Sequence, residues 1–102
     1  MTPPRPPLLA DAEAEALVAA HPGWRRDGSW LAASFRWPTF RAAVAFTQRL
    51  AEVAEALDHH PEWTVRWRVV DVRTTTHDAG GLTARDAALV AAIAAVAAAA
   101  PR

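Results

Sequence analysis

The apolar pattern from Trp63 to Thr76 constrains the fold most, because its alternation changes phase once along the segment. One parity contains Trp63, Val65, Trp67 and Val69, and the other contains Val70 and Val72. A straight β-strand places alternate side chains on opposite faces, so a change of phase interrupts it. Either a tight turn or a bulge near Arg68 explains the interruption. We favour the turn, which makes this segment a β-hairpin.

A second hairpin is predicted nearer the start of the chain. A short strand from Trp24 to Arg26 is followed by Asp27-Gly28, a dipeptide typical of hairpin turns. The segment from Trp30 to Trp37 then alternates, and its better core face consists of Leu31, Ala33, Phe35 and Trp37. Pro38 ends this strand at a position where a helix can begin.

The strongest helical pattern runs from Thr39 to Asp58 and ends before Pro61. Its apolar positions follow the helical period: Phe40, Ala43, Val44, Thr47, Leu50, Ala51, Ala54 and Leu57, with Phe46 and Val53 widening the stripe. A shorter first helix is predicted after a cap at Asp11. Its apolar positions are Ala12, Ala16, Leu17 and Ala20.

A last helix follows the turn at Gly80-Gly81. Thr83 and Asp86 have the spacing of a capping box, with aspartate in place of the usual glutamate. The inward positions of this helix are Leu89, Val90, Ile93, Val96 and Ala97. Its alanine-rich sequence favours helix formation strongly.

These elements predict an N-terminal helix followed by two hairpin–helix units. Two helices covering one face of a four-stranded antiparallel sheet make a two-layer α+β fold. We expect residues 1–8, which are rich in proline, to form a mobile tail, and residues 9–102 to form a single domain. Open sheet edges and an apolar helix face on so small a domain suggest a homo-oligomer.

Composition excludes several classes of function. The 11 basic and 11 acidic residues give a formal net charge of zero, so no nucleic-acid or anionic-membrane partner is indicated. The absence of cysteine excludes disulfides, thiolate zinc sites and cysteine nucleophiles. The start does not read as a secretory signal, and the apolar run at 87–100 is too short to span a bilayer. We therefore expect a cytoplasmic protein.

Three of the four histidines, His59, His60 and His77, fall at the ends of a predicted helix and a predicted strand. An intervening hairpin can bring such positions together, and imidazoles transfer protons near neutral pH. Glu55 lies four residues before His59 and can share its helix face, although an ordinary surface pair is equally compatible with that spacing. The fourth, His21, precedes a proline and is expected to be solvated.

Two alternatives stay open at the residue level. Three histidines without cysteine can form a zinc site, but the spacings typical of helical zinc sites are missing. Asp86 is either a helix cap or a ligand contact, and its spacing favours the cap. Among the tryptophans, Trp24 and Trp63 are the best candidates to flank an aromatic ligand.

The residues around these histidines resemble a known family. The matching positions are Glu55, the run Asp58-His59-His60-Pro61-Glu62-Trp63, the run Thr76-His77-Asp78, the run Gly80-Gly81-Leu82-Thr83 and the pair Arg85-Asp86. Weaker agreement extends back to Gly23-Trp24, so the resemblance covers about Gly23 to Val96. The pattern is similar to that of the pterin-4a-carbinolamine dehydratases. That family also contains the animal dimerisation cofactor of a homeodomain transcription factor.

The resemblance implies the same hairpin–helix fold, assembly into dimers or tetramers, and a reaction that needs no metal or other cofactor. Family members remove water from 4a-hydroxytetrahydropterin and produce quinonoid dihydropterin. By resemblance, the catalytic residues are His59, His60 and His77. With the tryptophan argument added, the substrate-binding residues are Trp24, Glu55, Asp58, Pro61, Thr75, Thr76, Asp78 and Asp86.

The same resemblance allows a second function, a non-enzymatic dimerisation or coactivator module of the same fold. Retention of all three histidines favours the enzyme. Two positions between the motifs depart from many relatives, because Trp67 replaces a tyrosine and Val65 replaces an asparagine. We expect these differences to change the shape of the pocket rather than the catalysis.

Overall fold

The computed structural model of the chain describes residues 5–100. The elements in chain order are α1 (Asp11–Ala20), β1 (Trp24–Asp27), β2 (Trp30–Arg36), α2 (Phe40–Leu57), β3 (Glu62–Arg66), β4 (Val69–Thr74), a short 3₁₀ helix (His77–Ala79) and α3 (Ala84–Ala99). This order confirms the predicted N-terminal helix followed by two hairpin–helix units. The 3₁₀ helix is an addition to that prediction.

The four strands form one antiparallel sheet in the order β1-β2-β4-β3. The two hairpins are joined by pairing between β2 and β4, where Phe35 lies opposite Val70. The phase change of the second hairpin is a turn, as predicted, with Trp67 at a positive φ of 54°. A residue in this left-handed region reverses the chain sharply, so the strands on either side lie on different parities.

The hydrophobic core lies between one face of the sheet and the helices. Leu31, Ala33, Val70 and Val72 cover that sheet face, and Phe46, Leu50, Leu89 and Ile93 come from α2 and α3. All eight side chains are at most 2% exposed. The observed architecture is therefore the predicted two-layer α+β fold. No helix within residues 5–100 is long and apolar enough to cross a membrane.

The opposite face of the sheet is open and carries ion pairs. Arg66 Nε lies 2.7 Å from Asp71 Oδ2, and the Ser34 hydroxyl donates to Asp71 Oδ1. These two hydrogen bonds, that of Arg66 foremost, hold the pKa of Asp71 below its ordinary value. Arg73 Nη2 lies 3.1 Å from Glu62 Oε1 on the same face.

Three details of the predicted helices are wrong. The N-cap of α1 is Ala10, whose N–H donates to Glu13, while Asp11 is the first helical residue and pairs with Arg26. The buried residue of α1 is Ala14, and the predicted positions Ala12, Ala16 and Ala20 are exposed. In α2 the buried stripe is Ala43, Phe46, Leu50 and Ala54. Phe40 and Leu57, the first and last residues of α2, are 55% and 41% exposed.

The start of α3 is tied to the segment before α1. The predicted capping box is present, since Thr83 and Asp86 exchange hydrogen bonds across the first turn of α3. Leu8, the last residue of the predicted tail, forms an isolated bridge with Thr83, and the Leu9 N–H donates to Leu82 O at 2.8 Å. Residues 1–4 of that predicted tail lie outside the described residues.

Candidate active site

The position of His59 is set by the end of α2. Asp58 adopts a left-handed conformation with φ 51° and ψ 43°, which stops the helix after Leu57. The next residue, His59, turns towards the protein interior, and its N–H donates to Ala54 O at 3.1 Å. Its side chain is 10% exposed. A single non-helical residue therefore directs the first imidazole inward.

The ring of His59 is held by a buried carboxylate. The Nε2–H of His59 donates to Asp86 Oδ1 at 2.7 Å, and the Asp86 side chain is 0% exposed. Asp86 also accepts hydrogen bonds from Thr74 Oγ1 at 2.6 Å, Thr76 Oγ1 at 2.7 Å and Thr83 N at 3.0 Å. This arrangement satisfies a charge that would otherwise be costly to bury. The capping role predicted for Asp86 is confirmed, and the residue lies behind His59.

His60 points the other way and is exposed. Its Nε2 lies 3.2 Å from Glu55 Oε1, and the two side chains are 56% and 79% exposed. The i, i+4 spacing predicted that Glu55 and His59 share a helix face, and that pairing is not formed. Because α2 ends at Leu57, His59 no longer follows the i, i+4 spacing of the helix, and the next imidazole reaches back to Glu55 instead.

His77 approaches from the end of β4. It begins the 3₁₀ helix, whose turn is closed by Gly80 at φ 75°. Its ring meets Trp30 edge-on, with centroids 5.5 Å apart and planes at 78°. Within residues 5–100, neither ring nitrogen of His77 makes a hydrogen bond to the protein.

The three imidazoles line one pocket of about 230 Å³. The remaining wall residues are Asp58, Thr75, Thr76, Asp78 and Arg85. The hairpin of β3 and β4 thus brings together side chains from a helix end and a strand end, as the sequence argument expects. His21 lies apart from this pocket, with its Nδ1 3.0 Å from Leu17 O.

Four of the expected substrate-binding residues are not on the pocket wall. Trp24 is 5% exposed and belongs to the core, where it packs against Phe35. Asp86 is buried behind His59, Glu55 lies outside beside His60, and Pro61 is half-buried next to the wall. Trp30 meets the ring of His77, because β2 carries it to the end of the sheet near this residue.

Arg85 is a wall residue to which the sequence analysis assigned no role in the site. It lies in the first turn of α3, directly before the buried Asp86. Burial of Asp86 fixes the rotation of this turn, and the neighbouring side chain consequently reaches the pocket. Its position directly before Asp86 is the sequence signal that could have identified Arg85 as a site residue. Within the described part of the chain, no three His, Cys, Asp or Glu side chains are grouped closely enough to hold a metal ion.

Comparison with known proteins places the chain in a family. The model of the family Pterin 4 alpha carbinolamine dehydratase matches residues 7–96. A protein of Roseiflexus castenholzii is 45% identical over 86 residues, covering 84% of this chain and 92% of its own length. A protein of Rhizorhabdus wittichii is 48% identical over 93 residues, covering 89% of this chain and 95% of its own. Both carry the provisional name pterin-4-alpha-carbinolamine dehydratase.

Solved structures give the same assignment of the fold. The transcriptional coactivator/pterin dehydratase of Brucella melitensis superposes with a TM-score of 0.84 at 32% identity, covering 89% of this chain and 99% of that one. A pterin dehydratase-like RuBisCO assembly factor of the α-carboxysome superposes with a TM-score of 0.64 at 24% identity, which shows likeness of fold alone. With a family model that spans most of its length and relatives that share nearly half of its residues, this chain belongs to the pterin-4a-carbinolamine dehydratase family.

Proposed function

We propose that the protein is a 4a-hydroxytetrahydrobiopterin dehydratase that acts by histidine general acid/base catalysis in tetrahydrobiopterin recycling. The observation that carries this proposal is the meeting of three imidazoles, from the end of α2 and the end of β4, in one pocket. Family membership supports a pterin as the substrate class. No metal or other cofactor is required by this chemistry.

The reaction breaks the bond between C4a of the pterin and its hydroxyl group. The hydroxyl leaves as water once a proton donor protonates it, and a ring nitrogen loses a proton as the new C=N bond forms. One protonated and one neutral imidazole supply both transfers, each accelerating the reaction by roughly 10²–10⁴-fold. The proton given up and the proton taken balance, so water is the only molecule released.

His60 and His77 are the best placed to transfer these protons. Both rings are exposed at the pocket; the ring nitrogens of His77 are free of protein hydrogen bonds within residues 5–100, and one nitrogen of His60 is engaged by Glu55. We assign one of them as the acid and the other as the base. His59 has its Nε2 committed to Asp86, which leaves Nδ1 to hold the substrate by a hydrogen bond.

The rest of the wall suits a polar, flat heterocycle. The carboxylates of Asp58 and Asp78 and the hydroxyl oxygens of Thr75 and Thr76 offer acceptors to the pterin, and Arg85 adds a cation whose N–H groups donate. In this assignment Glu55 and Asp86 act indirectly, by holding His60 and His59. Pro61 lies beside the pocket wall in sequence, and Trp24, a core residue, has no part in this assignment.

The test is to replace His60 and His77 separately by alanine and to measure dehydration of 4a-hydroxytetrahydropterin. We expect each variant to lose about 10²–10⁴-fold in kcat. His21→Ala is the matched control, because it removes the one histidine that lies outside the pocket. Full turnover by both pocket variants would refute the assignment. Turnover that chelator abolishes would instead support the zinc alternative.

We also propose that the protein acts as a homodimer or homotetramer. Phe40 and Leu57 leave apolar surface on α2, and β1 and β3 are sheet edges with unpaired backbone groups. The second candidate function is the dimerisation or coactivator module, which the coactivator name of the Brucella melitensis relative supports. Light scattering combined with the activity assay distinguishes the enzyme from the dimerisation module. A stable oligomer whose assembly and partner binding persist without any turnover would favour the module.

A further inference from the structure

The three pocket histidines differ in how their rings are held. His59 donates to the buried Asp86 at 2.7 Å, and His60 lies 3.2 Å from Glu55. His77 has no such partner within residues 5–100, and its backbone is fixed only by the 3₁₀ turn. The ring contact of His77 is the one with Trp30, at 5.5 Å between centroids and 78° between planes. Any restraint on the orientation of this imidazole therefore comes from an aromatic neighbour.

Trp30 is itself held from the open face of the sheet. The guanidinium of Arg73 lies 4.0 Å from the centroid of the Trp30 ring, which is a cation–π contact. Register explains the contact, since Ala32 lies opposite Arg73 and Trp30 is two residues along the same strand. The two side chains are thus diagonal neighbours on one face of the sheet. Arg73 is fixed in turn by Glu62.

We propose that Trp30, held by Arg73, is a positioning residue for His77. This inference rests on the proposed function, in which His77 transfers a proton. The contact with Trp30 restrains the imidazole of His77, and neither ring nitrogen hydrogen-bonds to a protein N or O atom within residues 5–100. The orientation of His77 is therefore defined without a hydrogen bond of the kind that holds His59 and His60. One chain of contacts runs from the open sheet face to the pocket, through Glu62, Arg73, Trp30 and His77.

Kinetic measurements on Trp30 variants test the proposal. We expect Trp30→Leu to lower kcat about ten-fold with KM changed less than two-fold, because a misplaced catalytic group slows the reaction without weakening binding. Trp30→Phe keeps an aromatic ring and should recover most of kcat. A raised KM with unchanged kcat would overturn the proposal, since Trp30 would then be a wall contacting the substrate. Unchanged kinetics in Trp30→Leu would overturn it as well.

Two arginines on the same sheet face provide a matched comparison. Arg73→Leu removes the cation above Trp30, and we expect kcat to fall about three-fold. This loss is smaller than that of Trp30→Leu, because the cation–π contact restrains His77 only through the Trp30 ring. Arg66→Leu removes an ion pair with Asp71 that does not contact Trp30, and its kcat should equal that of the original protein. Equal losses in both arginine variants would mean a general effect on the sheet and would overturn the proposal.

A measurement without turnover separates this proposal from the proposed function. In the folded protein, the ring current of Trp30 displaces the NMR signals of the His77 ring protons, and His77→Ala assigns those signals. Trp30→Leu should remove the displacement, whereas Arg66→Leu should retain it; an unchanged His77 signal in Trp30→Leu overturns the positioning role. Full turnover by His77→Ala overturns the proposed role of His77, and the NMR result is independent of it. Thermal unfolding of each variant verifies that the fold persists.

Discussion

The two sides of the pocket are built in different ways. On the α2 side, His59 is anchored to Asp86, a carboxylate with no exposed surface that joins α3 to the end of β4. On the β4 side, His77 is exposed, and its ring meets that of Trp30 without a hydrogen bond to any residue in the range 5–100. On the α2 side, the residues that form the site also stabilise the fold. On the β4 side, the site residue contributes little to stability. Substitutions on the two sides should therefore affect different measurements.

The largest effect should come from Asp86→Ala. The variant leaves His59, Thr74, Thr76 and the N–H of Thr83 without their shared acceptor, in a buried place. Unsatisfied buried groups cost about 1–3 kcal/mol each, and we expect the free energy of unfolding to fall by about 3–5 kcal/mol. Urea denaturation measures this change. Asp78→Ala, an exposed aspartate of the same pocket, should change stability by less than about 0.5 kcal/mol.

A second pair of variants compares the histidines directly. His59→Ala should lower the free energy of unfolding by about 1–3 kcal/mol, because it removes one donor from the buried Asp86. His77→Ala should leave stability within about 0.5 kcal/mol of the original value, since the ring is exposed. Equal losses in the free energy of unfolding of the two variants would show that His77 also stabilises the fold. That result would contradict the proposed difference between the two sides of the pocket.

Arg85 tests whether the pocket wall recognises the substrate. Its side chain makes no hydrogen bond or ion pair with the protein within residues 5–100, and the residue lines the pocket, so its donors are available to a ligand. Arg85→Leu should raise KM for the pterin about ten-fold, equivalent to about 1.4 kcal/mol, with a smaller change in kcat. Arg49→Leu removes an exposed arginine of α2 and serves as the control. A KM unchanged by the loss of Arg85 would place the substrate elsewhere in the pocket.

The smallest effect concerns Asp71, the exposed counterpart of the buried Asp86. Its pKa is lowered by Arg66 and Ser34, so the folded state favours the charged form. The resulting stabilisation is present above the unfolded pKa, about 3.9, and is lost as the pH falls through the lower folded pKa. Asp71→Asn should therefore cost less than about 1 kcal/mol at pH 7, and the difference should shrink towards pH 3. Urea denaturation at both pH values tests the sign.

Most of the fold could be predicted from the sequence because local patterns determine it. The phase change near Arg68 predicted the second hairpin, and the spacing of Thr83 and Asp86 predicted the start of α3. The strand order β1-β2-β4-β3 could not be predicted, because it depends on which edges of the two hairpins meet. The exposure of Phe40 and Leu57 was missed because an apolar period does not show which end residues of a helix are covered by the rest of the fold.

The site could be predicted less completely. The proximity of His59, His60 and His77 could be predicted from the hairpin that lies between them. The partner of Glu55 could not, because it depends on the non-helical conformation of a single residue, Asp58. Trp24 and Trp30 could not be distinguished by alternation alone. The first packs into the core and the second reaches His77, since the pairing of β2 with β4 decides which strand end adjoins the pocket.

The left-handed residue that ends α2 has a consequence for the tolerated length of the chain. Each residue of an α-helix turns the backbone by about 100°, so one residue gained or lost within α2 would rotate its end away from Asp86 while the buried stripe held the rest in place. The hairpin turn at Trp67, which lies at the opposite end of β4 from His77, imposes no such condition on the pocket. Insertions and deletions should be accepted in that turn and rejected in α2, which acts as a spacer of fixed length for the first imidazole.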